Sequence, residues 1–154
     1  MATGTSATLL ARRSLMAALL IGIGFMAAID EIIFHQFLAW HHFVDCGTGT
    51  FALLSDGLLH SAELILLILG FFMVAELRER KLFAKAHAWA GFFFGMGAFQ
   101  LFDGLIDHKV LRLHQIRYVE NLLVYDILWN LTAVVLLLIS FVLLRKARRT
   151  YVSP

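Results

Sequence analysis

The stretch GIGFMAAIDEIIFHQFLAWHH at residues 22–42 decides the fold, because a related stretch, GMGAFQLFDGLIDHKVLRLHQ, occupies residues 95–115. Both stretches contain two glycines separated by one residue, then an aspartate, then two histidines, and each matched position is offset by 73 residues. The matched polar residues are Asp30 and Asp103, His35 and His108, and His41 and His114. A chance match of five positions at one offset is improbable, so the sequence predicts two tandem copies of one structural unit.

The composition indicates that this unit lies in a membrane. The 154 residues are 60% hydrophobic and 16% charged, whereas soluble domains are about 45–50% apolar and about 25% charged. A soluble globule and a disordered chain are therefore poor fits. A net charge of only +2 gives no field for holding nucleic acid, and a single cysteine excludes an internal disulfide framework.

Four membrane-spanning helices account for the apolar segments. The predicted helices cover residues 13–44, 51–77, 84–116 and 120–147. Apart from the last, they reach the ~20 residues needed to cross a bilayer only by including aspartates, glutamates and histidines. We predict a single all-α membrane domain over residues 1–154. It is a polytopic four-helix bundle built from two tandem helical hairpins, at about 13–77 and 84–147.

The distribution of lysine and arginine predicts the orientation. Ten of the 13 basic residues fall on one side of the predicted spans. These are Arg12, Arg13, Arg78, Arg80, Lys81, Lys85, Arg145, Lys146, Arg148 and Arg149. The positive-inside rule places this side, with both termini, in the cytoplasm. We therefore predict a multi-pass protein of the bacterial inner (cytoplasmic) membrane, with the loops 45–50 and 117–119 facing the periplasm.

Ionisable residues are unusually frequent in these spans, where each costs about 2.5–3.5 kcal/mol on insertion scales. They concentrate in the outer half of the helices, and we expect them to face the bundle interior because lipid would not solvate them. The candidate metal ligands are Asp30, His35, His41, Asp56, His60, Asp103, His108, His114 and Asp126. Residues that could orient or replace these ligands are Glu31, His42, Glu63, Asp107 and Asn130.

Depth along the helices sorts the candidates into layers. The preferred ligands in the middle layer are His35, His60 and His108. The deeper Asp30 and Asp103 are further ligands or orienting residues. The outer layer, or an access path, comprises His41, Asp56, His114 and Asp126. On a regular helix Asp30 and His41 share one direction, whereas His35 lies roughly 100–140° away from it.

Imidazoles and carboxylates on facing helices are how helical bundles build metal sites. This donor set suits zinc, copper, iron or manganese, and the affinity order favours copper and zinc, with iron possible. We therefore predict a buried transition-metal site in the periplasmic half of the bundle. It would serve a metal-dependent membrane oxidoreductase or a metal-handling accessory protein.

Other interpretations of the polar residues stay open. Chains of Asp, Glu and His also form proton relays, although the cytoplasmic half shows no acidic residue that would complete a path. A b-type haem could be ligated by His35 with His108, or by His41 with His114, but haem is less expected among so many carboxylates. The polar seam could also belong to a non-catalytic accessory subunit. Expected partners are the lipid bilayer and either another membrane protein or a second copy of the chain, and not nucleic acid.

The pattern Asp30-x4-His35-Gln36-x3-Trp40-His41-His42 is followed by Asp56-Gly57-x2-His60 and then by Asp103-Gly104-x2-Asp107-His108. Over roughly residues 20–140 it resembles a bacterial family of four-span membrane proteins that is known only as a domain of unknown function. The pattern of that family has His-His pairs where this chain has His108-Lys109 and His114-Gln115. The resemblance implies that Lys109 and Gln115 lie outside any ligand set here. It supports the fold and the importance of the polar cluster, and it implies no activity.

Overall fold

The computed structural model describes residues 2–152, which form helices and loops without a β-strand. The four α-helices are α1 (Ala2–Ile29), α2 (Gly49–Glu79), α3 (Lys85–Phe102) and α4 (Leu122–Val152). Two of them, α1 and α3, continue into eight-residue π-helical segments, π1 (Asp30–Phe37) and π2 (Asp103–Val110). The all-α prediction is confirmed.

The predicted membrane spans are also confirmed in number and approximate position. Helices long and apolar enough to cross a membrane cover Thr8–Phe37, Gly49–Glu79, Lys85–Val110 and Leu122–Arg149. Large apolar side chains such as Phe72 and Leu123 are mostly exposed. In a bilayer such surfaces lie against the acyl chains, which are as apolar as leucine. The four helices therefore form a polytopic membrane domain.

Helices α1 and α3 lie side by side in the centre, while α2 packs on α1 and α4 packs on α3. Glycines permit the central contact. A Cβ on Gly22 would overlap the carbonyl oxygen of Phe92, and a Cβ on Gly95 would overlap that of Leu19. Since lipid provides no hydrophobic drive for helix association, such close backbone packing is a main source of attraction between the helices.

The first and third helices end earlier than predicted, and the first also begins earlier, at Ala2 instead of residue 13. They were expected to reach residues 44 and 116, but π1 ends at Phe37 and π2 at Val110. After each π segment comes a residue with left-handed backbone geometry, Ala39 at φ 48° and Arg112 at φ 54°. Left-handed residues cannot continue a right-handed helix. As a result His41, His42 and His114 lie on loops rather than on helices.

These departures from regular helix recur in both hairpins at one offset of 73 residues. The Leu38 N–H donates to the Ile33 carbonyl at 2.9 Å, and the Leu111 N–H donates to the Ile106 carbonyl at 2.7 Å. The π segments and the left-handed residues are offset by the same 73 positions. The matched backbone geometry supports the tandem-repeat interpretation, which stays a prediction.

The close contact between α1 and α3 can be tested with Gly95→Ala. The added Cβ would meet backbone atoms of α1, including the Ile23 nitrogen at 2.8 Å, so the helices must separate. We expect the free energy of unfolding to fall by about 1–3 kcal/mol, as measured by SDS-induced unfolding in mixed micelles. The matched control is Gly57→Ala, because a Cβ there meets nothing within 4 Å. Equal effects of the two substitutions would contradict this account of the packing.

Candidate metal centre

The two π segments bring an aspartate and a histidine onto the same face. Residues five apart lie about 140° apart on a regular α-helix, but an i→i+5 hydrogen-bond pattern aligns them. In π1 the His35 Nε2 lies 3.5 Å from an Asp30 carboxylate oxygen. In π2 the His108 Nε2 lies 3.2 Å from an Asp103 carboxylate oxygen. All four side chains are buried, so each π segment presents one imidazole and one carboxylate to the protein interior.

A loop histidine completes each pair. His41 follows π1 and joins Asp30 and His35, while His114 follows π2 and joins Asp103 and His108. Within each of these two triads, one potential ligand atom per residue lies within 4.8 Å of the others. The His114 Nε2 is 3.4 Å from Asp103 and 2.9 Å from the His108 Nε2. We call these the Asp30 triad and the Asp103 triad.

Each loop histidine is held by the other loop. The His41 Nδ1–H donates to the Ile116 carbonyl at 2.9 Å, and the His114 Nδ1–H donates to the Phe43 carbonyl at 2.8 Å. A carbonyl can only accept, so each neutral ring carries its proton on Nδ1 and presents the Nε2 lone pair to its triad. The two rings stack 4.5 Å apart with an interplanar angle of 8°. The triads are therefore direct neighbours, and their loop histidines are oriented as ligand histidines usually are.

The electrostatic surroundings of the loop histidines differ. Burial, together with the neighbouring His114 and His35, lowers the pKa of His41 to about 2. Burial also acts to lower the pKa of His114, but the hydrogen bond and the charge of Asp103 outweigh it and raise that pKa. The neutral form of His41, which offers a lone pair to a metal, is therefore favoured.

A third group of potential ligands shares His35 with the Asp30 triad. The His35 Nδ1 lies 2.7 Å from Glu31 Oε2 and 3.2 Å from Asp56 Oδ1. Asp56 also holds the loop after π1, because its Oδ1 accepts from the Phe43 N–H at 2.7 Å and its Oδ2 lies 2.6 Å from the His42 Nδ1. All members of the Glu31–His35–Asp56 group are buried.

The remaining predicted site residues lie outside these three groups. His60, one of the preferred ligands, is half exposed and is 2.6 Å from Glu63. Asp126 pairs with Lys109 at 2.6 Å, and the Asn130 amide donates to the Asp126 carbonyl. Asp107 is buried but belongs to none of the groups. The structure therefore groups His35 and His108 with the loop histidines rather than with His60.

Buried carboxylates give the site a negative charge that calls for a positive partner. Six carboxylates are almost fully buried: Asp30, Glu31, Asp56, Glu63, Asp103 and Asp107. In the described part of the chain five of these carboxylates, all but Asp107, pair with histidines, whereas the lysine and arginine ion pairs are made by Glu76 and Asp126. Burying charges without compensation is strongly unfavourable. A bound cation coordinated by the triads would supply the missing positive charge.

Several functional contacts were missed by the sequence analysis. The carbonyls of Ile116 and Phe43 orient the loop histidines, but a backbone carbonyl leaves no trace in residue type. Lys109, the partner of Asp126, did leave a signal, because it stands where the first hairpin has Gln36. That exchange of a neutral for a cationic residue predicts that the two hairpins differ in charge at this position.

The fold and these groups together define a four-helix integral membrane protein with a buried His/Asp centre near one end of the bundle. The family of predicted membrane proteins designated DUF2243 matches residues 17–147. This chain belongs to that family, whose function is unknown, and the family expected from the sequence is confirmed. No curated protein and no solved structure matches the chain.

The left-handed residue that brings His41 back to the bundle gives a test of the loop geometry. Ala39 has φ 48°, which costs a residue with a Cβ about 1–2 kcal/mol. We expect Ala39→Gly to stabilise the protein by about 1 kcal/mol, and Ala39→Val to destabilise it. The measurement is the unfolding free energy in mixed micelles. Ala28→Gly in α1 is the control with the opposite expected sign, a loss of about 0.5–1 kcal/mol. Destabilisation by Ala39→Gly would be incompatible with this loop.

Proposed function

We propose that this protein is an integral membrane metalloprotein that binds one transition-metal ion in each triad, forming a paired centre. The observation that supports it best is the orientation of the loop histidines. His41 and His114 each anchor Nδ1 on a backbone carbonyl and direct Nε2 towards a buried aspartate. Histidine ligands in metal sites are held in this way. Packing alone does not require two imidazoles and a carboxylate to converge within each hairpin.

The donor set favours copper or zinc, with iron possible. Imidazole and carboxylate are the nitrogen and oxygen ligands that these metals take, and the affinity order places copper and zinc above iron. Each triad would supply three protein ligands, which leaves a coordination position open, as in catalytic sites. A metal-dependent membrane oxidoreductase is therefore the function that we propose. If the metal is zinc, which has no redox chemistry, we propose instead that the protein handles metal for a membrane partner.

Haem is disfavoured by the stacked rings. His41 and His114, one of the two pairs considered for axial ligation, lie parallel with centroids 4.5 Å apart. Axial imidazoles approach a haem iron from opposite faces through their nitrogens, so the macrocycle would have to pass between the two rings. The contact distance between them leaves no space for it.

The centre lies at the end of the bundle away from Arg78 and Arg80. Both triads adjoin the loops 38–48 and 111–121, whereas the two arginines lie beside the turn between α2 and α3. The positive-inside rule therefore supports a periplasmic position for the centre in an inner-membrane protein. An ion or a small substrate would then reach the centre without crossing the apolar half of the spans.

The metal content provides the main test. We expect about two equivalents of one transition metal in untagged protein purified in detergent, measured by elemental analysis with an absorption spectrum. His41→Ala and His114→Ala should each lower the content by about one equivalent. In contrast, His60→Ala should retain the metal of both triads, because His60 lies outside them.

Two results would contradict the proposal. A colourless, metal-free protein that stays empty after incubation with copper, zinc and iron would overturn it. Loss of metal in His60→Ala but not in His41→Ala would support the ligand set His35, His60 and His108 deduced from the sequence. That outcome would exclude the paired triads.

The orientation can be tested with the natural cysteine. Cys46 is the single cysteine of the sequence and is exposed in the loop next to the centre. We expect a membrane-impermeant maleimide to label Cys46 in intact spheroplasts of the expressing bacterium. Cys46→Ser provides the background control. Labelling that requires permeabilised membranes would place the loop, and the centre with it, on the cytoplasmic side.

A further inference from the structure

The two hairpins differ at the group that shares His35. In the first hairpin Glu31, His35 and Asp56 converge, while the matched positions of the second hairpin hold Gly104, His108 and Asp126. The triads are alike in both hairpins, so this difference is confined to one side of the paired centre. A group present in only one hairpin indicates a role that only that hairpin performs.

The group in the first hairpin has ligand atoms without hydrogen-bond partners. Glu31 and His35 are only 3% exposed. Glu31 Oε2 and both ring nitrogens of His35 lack an aligned hydrogen bond, although Glu31 Oε2 and His35 Nδ1 are 2.7 Å apart. Buried polar atoms are nearly always hydrogen-bonded. Atoms that coordinate the same cation lie close together without hydrogen-bond alignment, as Glu31 Oε2 and His35 Nδ1 do.

In the second hairpin, groups of the chain itself occupy the matched place. The Lys109 ammonium lies 2.6 Å from Asp126 and supplies a cation that is part of the chain. A side chain at Gly104, the counterpart of Glu31, has no room, because a Cβ would come within 2.6 Å of Asn130 Oδ1 and 2.7 Å of Trp129 Cδ1. The second hairpin therefore has a cation of its own and no second carboxylate at the matched place, although His108 Nδ1 and Asp126 Oδ1 also lack hydrogen-bond partners.

A cavity adjoins the group in the first hairpin. It has a volume of about 440 Å³, and its lining includes Glu31, Gln36, Asp56 and His60. The His60 side chain is 49% exposed, so the cavity reaches the surface of the protein. An exposed imidazole at this depth is costly in hydrocarbon, which favours a hydrated opening. A hydrated ion could thus reach Glu31 and Asp56 from outside the bundle.

We propose that Glu31, His35 and Asp56 form a separate transfer site for a divalent transition-metal ion, through which the paired centre is loaded from the first hairpin alone. The site passes the ion to the Asp30 triad through His35, whose Nδ1 faces Glu31 and Asp56 and whose Nε2 faces Asp30. A neutral imidazole has one lone pair, so His35 serves one site at a time. When His35 binds the ion of the Asp30 triad through Nε2, its proton lies on Nδ1, so Glu31 and Asp56 lose their imidazole ligand and hold an ion only in passing. The transfer rests on the proposed function, because it needs the triads as acceptors.

The test is the rate at which metal-stripped protein in nanodiscs takes up Co²⁺, followed by the absorption of the bound cobalt. We expect Glu31→Gln to load about tenfold more slowly, because it removes a charge that attracts the ion, and to reach the same final content as the wild type. Asp56→Asn is a second variant, whose amide oxygen can still accept from the Phe43 N–H. The matched control is Asp126→Asn in the second hairpin, which should load at the wild-type rate.

The outcomes separate the two proposals. A wild type whose triads bind neither cobalt nor copper, zinc or iron would refute the proposed function. If the wild type binds cobalt, unchanged loading in both Glu31→Gln and Asp56→Asn would overturn the transfer site alone. Equal slowing in Asp126→Asn would overturn the one-sided route. A lower final content in Glu31→Gln would make Glu31 a permanent ligand and would also contradict a transfer role.

Discussion

The i→i+5 hydrogen bonding of the π segments is the constraint on which the centre depends. A regular helix would direct His35 about 140° away from Asp30, and the same holds for His108 and Asp103. The π turn rotates each pair onto one face and brings the side chains within 3.5 Å and 3.2 Å. π turns are rare and occur frequently at functional sites. Here they also end the helices and release the loops that carry His41 and His114.

The approach of α1 to α3 turns two separate triads into one paired centre. Gly22 and Gly95 allow the backbones to touch, which places π1 beside π2. Each loop then binds the histidine of the other through a backbone carbonyl. The orientation of each triad consequently depends on the partner hairpin. Displacing one hairpin would disturb both triads at once.

The balance of charge connects the centre to the membrane. Burial in an apolar bundle makes unpaired carboxylates costly, and the two hairpins meet this cost differently. In the second hairpin Lys109 neutralises Asp126. In the first hairpin, Glu31 and Asp56 face His35 without a lysine or arginine partner in the described residues. The two halves of the His/Asp centre in this chain thus share ligand types but differ in how their carboxylates are balanced.

Much of this protein follows from its sequence alone. Long, mostly apolar segments determine four spans, and lipid favours an interior position for ionisable side chains such as Asp30 and Asp103. The single offset of 73 residues already matched the members of the two triads. Tertiary structure decided which of these residues meet. Helical periodicity misplaced His35 and His108 because it assumes α-helical geometry throughout, and the departure to π-helix has no recognisable signal in residue type. His41 and His114 entered the triads, and His60 did not, because backbone carbonyls of a distant loop hold them there. Contacts of that kind arise only when the hairpins have packed together.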